Sequence, residues 1–463
     1  MRFLARLLLL VLVVGGLGLG AAWWLAGREP GPVIEIVAPT DVIGQAGTLE
    51  AAFTAPGGQL SHAEAVLEQN GQRTTVFSLD QAISSTAGDM EQTSADRIVI
   101  RRPIGRQAVP TLASGPATIE VTAARPVFFG LRQATTTVTR DVTVRLEPPR
   151  VSVVSTHHYV NHGGAEFVVY RATPADVASG VRVGDREYPG YPGTAVGLQD
   201  PSMRVAFFAL AFDQELNAPI SVFARDVAGN QALASLEHRA FAKQFGRSNI
   251  EISDNFLSRV VPPIAANTPS LGLSPSTPEE LLSAFLVMNG QLRQENNQTI
   301  AALSAKSRPE MMWSEAFSQL GNSAVESRFA DYRTYFHNGD EIDRQVHLGF
   351  DLASTTHAPV HAANRGVVVF AEYLGIYGNC VIIDHGLGVQ SLYAHLSQID
   401  VKPGETVAKG QGLGRTGSTG MAGGDHLHFT MVVSGTQVNP VEFWDAHWME
   451  DRVLRKVREA MGQ

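Results

Sequence analysis

The sequence predicts a mainly β chain: an N-terminal transmembrane helix, two β-sandwich domains, a helical connector and a C-terminal antiparallel-β domain. Three observations carry this. Short extended runs separated by turn residues fill most of the chain, which has 44 Gly and 24 Pro. A single strong helix start stands at Thr277. One uncharged run of twenty residues lies near the N-terminus, from Leu7 to Ala26.

That run comes first. At 1.5 Å per residue it spans about 30 Å, enough for one bilayer crossing. Arg2 and Arg6 precede it, Arg28 follows, and Trp23 and Trp24 sit at its far end, where indole rings favour the membrane interface. The next charges are mostly acidic (Glu29, Glu35, Asp41), so the N-terminus is expected in the cytoplasm and the bulk of the chain outside. Residues 1–29 are read as an uncleaved anchor of a bacterial inner (cytoplasmic) membrane, leaving a periplasmic or extracytoplasmic body. A cleaved signal peptide is the competing reading, because Ala21 and Ala22 offer small residues, but its apolar core is usually only about 7–15 residues long.

Residues 30–148 form the first expected sandwich, through Val33–Val37, the Pro56-Gly57-Gly58 turn and Arg97–Ile100. Val138, Val142, Val144 and Leu146 recur with the period of two of a half-buried strand. Pro148-Pro149 marks a boundary. Residues 149–240 form the second, with Phe167–Tyr170 as a strand. The run Ser221–Asn230 resembles a hairpin of bacterial immunoglobulin-like domains. His157, His158 and His162 cluster there beside Glu166, but without paired metal-ligand spacing, so solvent-exposed loop histidines are expected.

Residues 241–338 shift toward helix. Thr277 is an N-cap, Pro278 the first helical residue, and Glu279 and Glu280 face the dipole; Leu281, Leu282, Phe285, Leu286, Met288 and Leu292 follow at helical spacing through about Ser304. Residues 339–446 are the C-terminal domain, and 447–463 a terminal helix.

The formal charge of −9, from 36 basic and 45 acidic residues, argues against nucleic acid as a partner. The one cysteine, Cys380, excludes an intrachain disulfide and a cysteine-based zinc site, and its apolar neighbours make it a core thiol.

Nine of the 14 histidines lie from His337 onward, and three short motifs there suit a metal: His347–Asp351, Tyr393–Leu396 and Gly424–Thr430. On a strand His426 and His428 point to one face, with Leu427 and Phe429 on the other. A catalytic zinc takes three protein ligands and keeps one position for water. His347, Asp351 and one histidine of the pair meet that count, and the other, with His395, is free to move protons. Tyr393 shares the His395 strand face by alternation, which puts it along the cleft or, as often for a strand tyrosine, in plain packing.

Residues 347–440 resemble the lysostaphin/LytM-type zinc metallopeptidases that cut peptide bonds in bacterial cell walls. The likeness runs through His347–Asp351, 362–369, 377–379, Ile383–Gly386, Leu392–Leu396, Gly417–Gly420, His426–Phe429 and Val438–Pro440. It implies that His347, Asp351 and His428 hold Zn²⁺, that His395 and His426 are the catalytic pair, and that peptidoglycan is the substrate. Asp425 and Thr430 depart from the usual residues around the HxH and put contacts behind the ligands and groove selectivity in doubt. His357, His361 and His447 have no partner spacing, and His385 reads as structural. Lys409 resembles a biotinyl/lipoyl carrier lysine, a role that would leave the histidines unexplained. Two other functions stand beside the enzyme: a catalytically silent regulator that binds the wall or activates another hydrolase, and an adhesin-like protein working through its sandwich domains; an unidentified envelope protein is a further candidate partner.

Overall fold

The computed structural model describes residues 2–55, 59–79 and 90–462; the expected turn at Pro56-Gly57-Gly58 lies outside the described residues. The chain is mainly β and divides into two compact units, Met1–Pro148 with Arg225–Gln231, and Pro149–Ala224 with Ala232–Gln463.

In the first unit the apolar run folds as one helix, Arg2–Ala26, and its stretch Arg6–Ala26 is long and apolar enough to cross a membrane, with a mean hydropathy of 2.2. Beyond it, strands Val33–Ala38, Thr48–Thr54, Arg97–Pro103 and Met90–Ser94 form a sheet in that order. Val42–Ile43, Arg132–Val144, Gly115–Val127, His62–Gln69 and Gln72–Ser78 form another. Alternation explains the burial. Val142 and Val144 turn inward with Ile119 and Val121 of the neighbouring strand, and they share one apolar core with Ile36, Leu49 and Phe53 of the other sheet.

In the second unit, Gly164–Thr173 lies between Arg150–Val153 and Met203–Leu210. Phe167–Tyr170 is buried on both faces, which is why that stretch reads as a continuous apolar run. Two of the nearby histidines differ from expectation. His157 is exposed, but His158 is buried, bonded to Ser155 Oγ at 2.9 Å and donating to the Glu237 carbonyl at 3.0 Å. His162 is half-buried and donates to the Gln214 carbonyl. His158 and His162 are thus satisfied structural groups, while His157 is exposed as expected.

Within 241–338 the helices occupy less than the whole segment. They run over Asp254–Asn267 and Pro278–Val287, then through a π turn at Met288–Leu292 into Arg293–Ser304. The expected cap is present: Thr277 Oγ1 accepts from the Glu280 amide, and the Glu280 carboxylate accepts from the Thr277 amide. The flanks are strands. Arg247–Glu251 pairs in parallel with Asp331–His337, which forms a hairpin with Asp340–His347. Ala324–Ser327 joins the C-terminal sheet.

That sheet is antiparallel, in the order Ala324–Ser327, Phe350–Ala353, Leu427–Val433, Val389–Leu396, Asn379–Gly386, Gly366–Tyr373, Thr406–Val407, with Thr436–Val438 also paired to Leu427–Val433. Its two faces have different covers. Leu427, Phe429, Met431 and Tyr393 belong to a core with Phe443 and Trp313. Leu392, Ala394 and Val432 face the connector helices through Phe285, Met288, Leu292 and Ile300. Ala394 lies opposite His428 in the register, so the helices cover the histidine-bearing face. Cys380 is fully buried, and burial pushes its thiol up. Near-continuous helical turns run from Val441 to Ala460, where the buried Lys456 ammonium donates to Glu166 Oε1 at 2.8 Å and to the Phe167 carbonyl at 2.7 Å.

Candidate metal centre and catalytic cleft

His347 ends the Asp340–His347 strand, Asp351 starts on the next, and His428 sits directly opposite Asp351 in the antiparallel register. Three segments thus deliver three donors to one point. His347 Nε2 lies 2.9 Å from His428 Nδ1, and Asp351 Oδ1 lies 3.0 Å from the first nitrogen and 3.1 Å from the second. The donor atoms of these three residues all fall within 4.8 Å of one another, a group that could hold a metal ion. Their chemistry fits a cation. His347 Nδ1 is turned toward the Arg328 carbonyl, which can only accept, so Nδ1 keeps a proton; with a cation bound Nε2 would offer its lone pair, and without one it can carry a second proton toward Asp351 Oδ1.

The second histidine of the pair is close as well, with His426 Nε2 at 3.4 Å from Asp351 Oδ1. Its Nδ1 donates to the Gly424 carbonyl at 2.9 Å, and His395 Nδ1 donates to the Thr419 carbonyl at 2.8 Å. Both rings therefore present Nε2 toward the cluster, their centroids 4.9 Å apart. All five groups are nearly buried, with exposures of 5% to 9%.

Burial alone would push the Asp351 carboxyl up, but the neighbouring His347 charge and the hydrogen bonds from His347, His426 and His428 hold it well below its usual range. Burial, with the neighbouring rings His426 and His428, pulls His395 well down. It also lowers His428, to about 4. Burial acts the same way on His426, but Asp351 outweighs it and raises that imidazole.

His395 departs from strand alternation. From Asn379 to Val381 one strand advances two residues while its partner advances three, from Leu396 to Tyr393, so the Val389–Leu396 strand carries an extra residue there. His395 has a φ of 63°, and this kink turns its ring to the His428 side, with centroids 5.7 Å apart. Tyr393 stays behind. Its hydroxyl accepts from the Ala363 amide and its ring meets Phe429 at 5.3 Å, so the tyrosine belongs to the opposite core rather than the cleft.

A cavity of about 620 Å³ opens on the five groups. Residues of the preceding segment also line it, including Ile252, Phe256, Phe285 and Arg293. Arg333 and Ser327 lie in no motif, and Thr419 stands in the Gly417–Gly420 run without an expected role. Arg333 donates to Asp351 Oδ2 at 3.1 Å and to Ser327 Oγ at 2.8 Å. Ser327 also meets His347 Nδ1 at 3.2 Å. Thr419 fixes His395 through its carbonyl, while its own hydroxyl donates to Leu396 O and accepts from the Asn379 amide.

The remaining residues fall elsewhere. Thr430 is fully buried, so it does not touch the groove. Asp425 accepts from Thr416 Oγ1 and the His357 amide, bracing the loop before the HxH. His385 is buried between the Arg365 carbonyl and Ser391 Oγ, and burial lowers it to about 4. His361 and His447 are exposed. Lys409 is tied to the Ala316 carbonyl and Glu315.

Comparison with known proteins follows the same boundaries. Residues 345–440 match the model of Peptidase family M23. The chain is 43% identical over 97 residues to the DD-carboxypeptidase/endopeptidase Mpg of Neisseria meningitidis serogroup B, covering 21% of this chain and 22% of that protein. It is 30% identical over 163 residues to the peptidoglycan DD-endopeptidase ShyA of Vibrio cholerae, covering 35% and 34%. The matches thus span about a fifth to a third of those relatives. Among solved structures, the catalytic domain of lysostaphin from Staphylococcus simulans is 29% identical and covers 28% of this chain and 98% of its own, with a TM-score of 0.25. TM-scores this low support no argument about fold. The sequence match encloses the whole constellation from His347 to His428, and residues 345–440 are a peptidase family M23 domain.

Proposed function

We propose that this chain is a zinc-dependent endopeptidase that hydrolyses peptide bonds in bacterial cell-wall peptidoglycan, held at the inner membrane by its N-terminal helix with the body extracytoplasmic. The observation that carries it is the convergence of His347, Asp351 and His428 with His395 and His426 beside them, all facing one cavity. The family match and the endopeptidase names of the relatives support the substrate class.

In this reading His347 Nε2, Asp351 Oδ1 and His428 Nδ1 hold the zinc. When bound, such an ion polarises the scissile carbonyl and lowers the pKa of water to about 7. The chain's own groups do the rest. His426, raised by Asp351, holds or releases a proton at Nε2; His395, kept neutral by burial, offers Nε2 to the reacting centre. Both stay aimed because Nδ1 of each is bound to a backbone carbonyl. The regions 30–148 and 149–240 are, in this reading, immunoglobulin-like sandwiches accessory to the enzyme; the single core that the sheets of the first share supports the sandwich fold there.

The test is mass spectrometry of fragments released from purified peptidoglycan by the full-length chain loaded with zinc. Cleaved cross-links with the wild type, and none with His428→Ala, are expected. Intact cross-links under every zinc condition, with activation of a second hydrolase instead, would replace the enzyme by the silent regulator.

A further inference from the structure

The antiparallel hairpin Gly115–Val127 and Arg132–Val144 ends in a loop of composition unlike a solvated turn: Phe128, Phe129, Gly130, Leu131. Water-facing hairpin loops favour Asn, Asp and Gly where φ is positive. Here two successive phenylalanines take those angles, with φ of 49° and 56°. Bulky residues rarely adopt that region, so the loop keeps this conformation at a cost, with the Phe129 ring held out. The Phe129 side chain is 99% exposed and Leu131 70%.

The loop does not stand alone. Phe128 turns back and meets the Trp23 ring edge-on at 5.7 Å, and Val127, Phe128 and Ala134 enclose Ala26. Arg132 donates to the Trp23 carbonyl at 2.8 Å, and Arg125 donates to the Pro30 carbonyl and Glu29 at 3.0 Å. The hairpin tip is thus fastened to the last turn of the apolar helix, at the level of Trp23 and Trp24. Arg28 lies over the Trp24 ring at 3.7 Å. Aromatic rings interleaved with arginines at the end of an apolar span are the composition of a membrane interface.

We propose that this hairpin tip is a second membrane contact: Phe129 and Leu131 insert into the interfacial zone of the bilayer that the helix crosses, with Arg28, Arg125 and Arg132 at headgroup depth. The occupant is the lipid surface because the patch is continuous with the helix end. The inference rests on reading Arg6–Ala26 as a membrane span. Two contacts instead of one flexible tether fix the tilt of the first β unit on the membrane.

Cys380 is the single cysteine and is fully buried, so an introduced surface thiol can be labelled selectively. Full-length Phe129→Cys, Leu131→Cys, Leu17→Cys and Asn70→Cys variants would each carry an environment-sensitive fluorophore in vesicles of phosphatidylethanolamine and phosphatidylglycerol. Asn70 follows the strand His62–Gln69, whose register places it toward Thr118, the opposite end of the hairpin strand from Val127. Labels from Phe129→Cys and Leu131→Cys are expected to be quenched several-fold more by lipids bearing nitroxide on the acyl chain than the Asn70→Cys label, and to be shielded from aqueous iodide. If Leu17→Cys is quenched by those lipids while the hairpin labels respond like Asn70→Cys, the helix spans and the hairpin contact is wrong. Shielding from iodide without lipid quenching points to a protein partner and also overturns it. If Leu17→Cys itself is not quenched, the anchor reading fails and the hairpin contact falls with it.

Discussion

Arg333 Nη2 lies 3.1 Å from Asp351 Oδ2, the carboxylate oxygen left over when His347, His428 and His426 crowd around Oδ1. One oxygen thus faces the donor cluster and the other is clamped by a guanidinium, which is itself fixed by Asp331 at 3.3 Å and Ser327 at 2.8 Å. Partners behind a ligand orient it, and their loss typically weakens metal binding by about 10- to 100-fold. Arg333→Met is expected to weaken zinc affinity in that range, and Arg333→Lys less, as measured by competition with a chelator. Unchanged affinity in Arg333→Met would mean that the paired strand Phe350–Ala353 alone orients Asp351.

His347→Ala, Asp351→Ala and His428→Ala each remove one of three donors and should lower bound zinc and wall hydrolysis together. His395→Ala should separate the two. Its ring is held by Thr419 and completes no part of the donor group, so zinc content and melting should stay while the rate falls by about 10²–10⁴-fold, the usual range for a positioned acid–base group. Zinc loss in His395→Ala, or full zinc in His428→Ala, would exchange the proposed roles.

The difference between His428 and His395 also marks what the sequence could and could not reveal. His426 and His428 were legible because the extended run from the His426 bridge into the strand Leu427–Val433 alternates faces, so two imidazoles two residues apart converge. His395 was found by its motif, but its orientation was not legible: period two places it with Tyr393, and only the bulge and the φ of 63° bring it to the cleft. Arg333 lacks any motif, since its partner Asp351 is reached through a hairpin. The helix from Pro278 was legible from its cap. The strand Arg247–Glu251 was not, because it is short and polar and finds its parallel partner about eighty residues later.

Gly349, between His347 and Asp351, has no room for a side chain. A Cβ there would stand 2.5 Å from Cε1 and Nε2 of His428. The ring has little space to retreat, with Tyr377, His347 and His395 within 4.8–5.7 Å of its centroid. Gly349→Ala is therefore expected to displace His428 and reduce zinc content at equal protein concentration, with hydrolysis falling in parallel. Full zinc occupancy in this variant would show that the loop, rather than the ring, gives way.

Glu442 gives the fold a pH dependence away from the cleft. Its carboxylate is buried, with Asn161 donating to one oxygen at 2.7 Å and the Ala165 amide to the other at 2.6 Å. Burial raises it to about 7, more than these two bonds lower it. Unfolded, the same carboxyl ionises near pH 4.5, so between the two values the folded chain keeps a proton that the unfolded chain has released. Stability from this group is therefore full below about pH 4.5 and declines as pH rises to about 7, at about 1.4 kcal/mol per pH unit and up to about 3 kcal/mol in all. Glu442→Gln has no such proton to lose. It pays a fixed penalty for turning an amide toward one of the two donors, independent of pH. The melting temperature of Glu442→Gln relative to wild type is thus expected to climb between pH 4.5 and 7 and level off above. A flat difference across that range would show that Glu442 is ionised in the folded chain throughout, its charge balanced by Asn161 and the Ala165 amide.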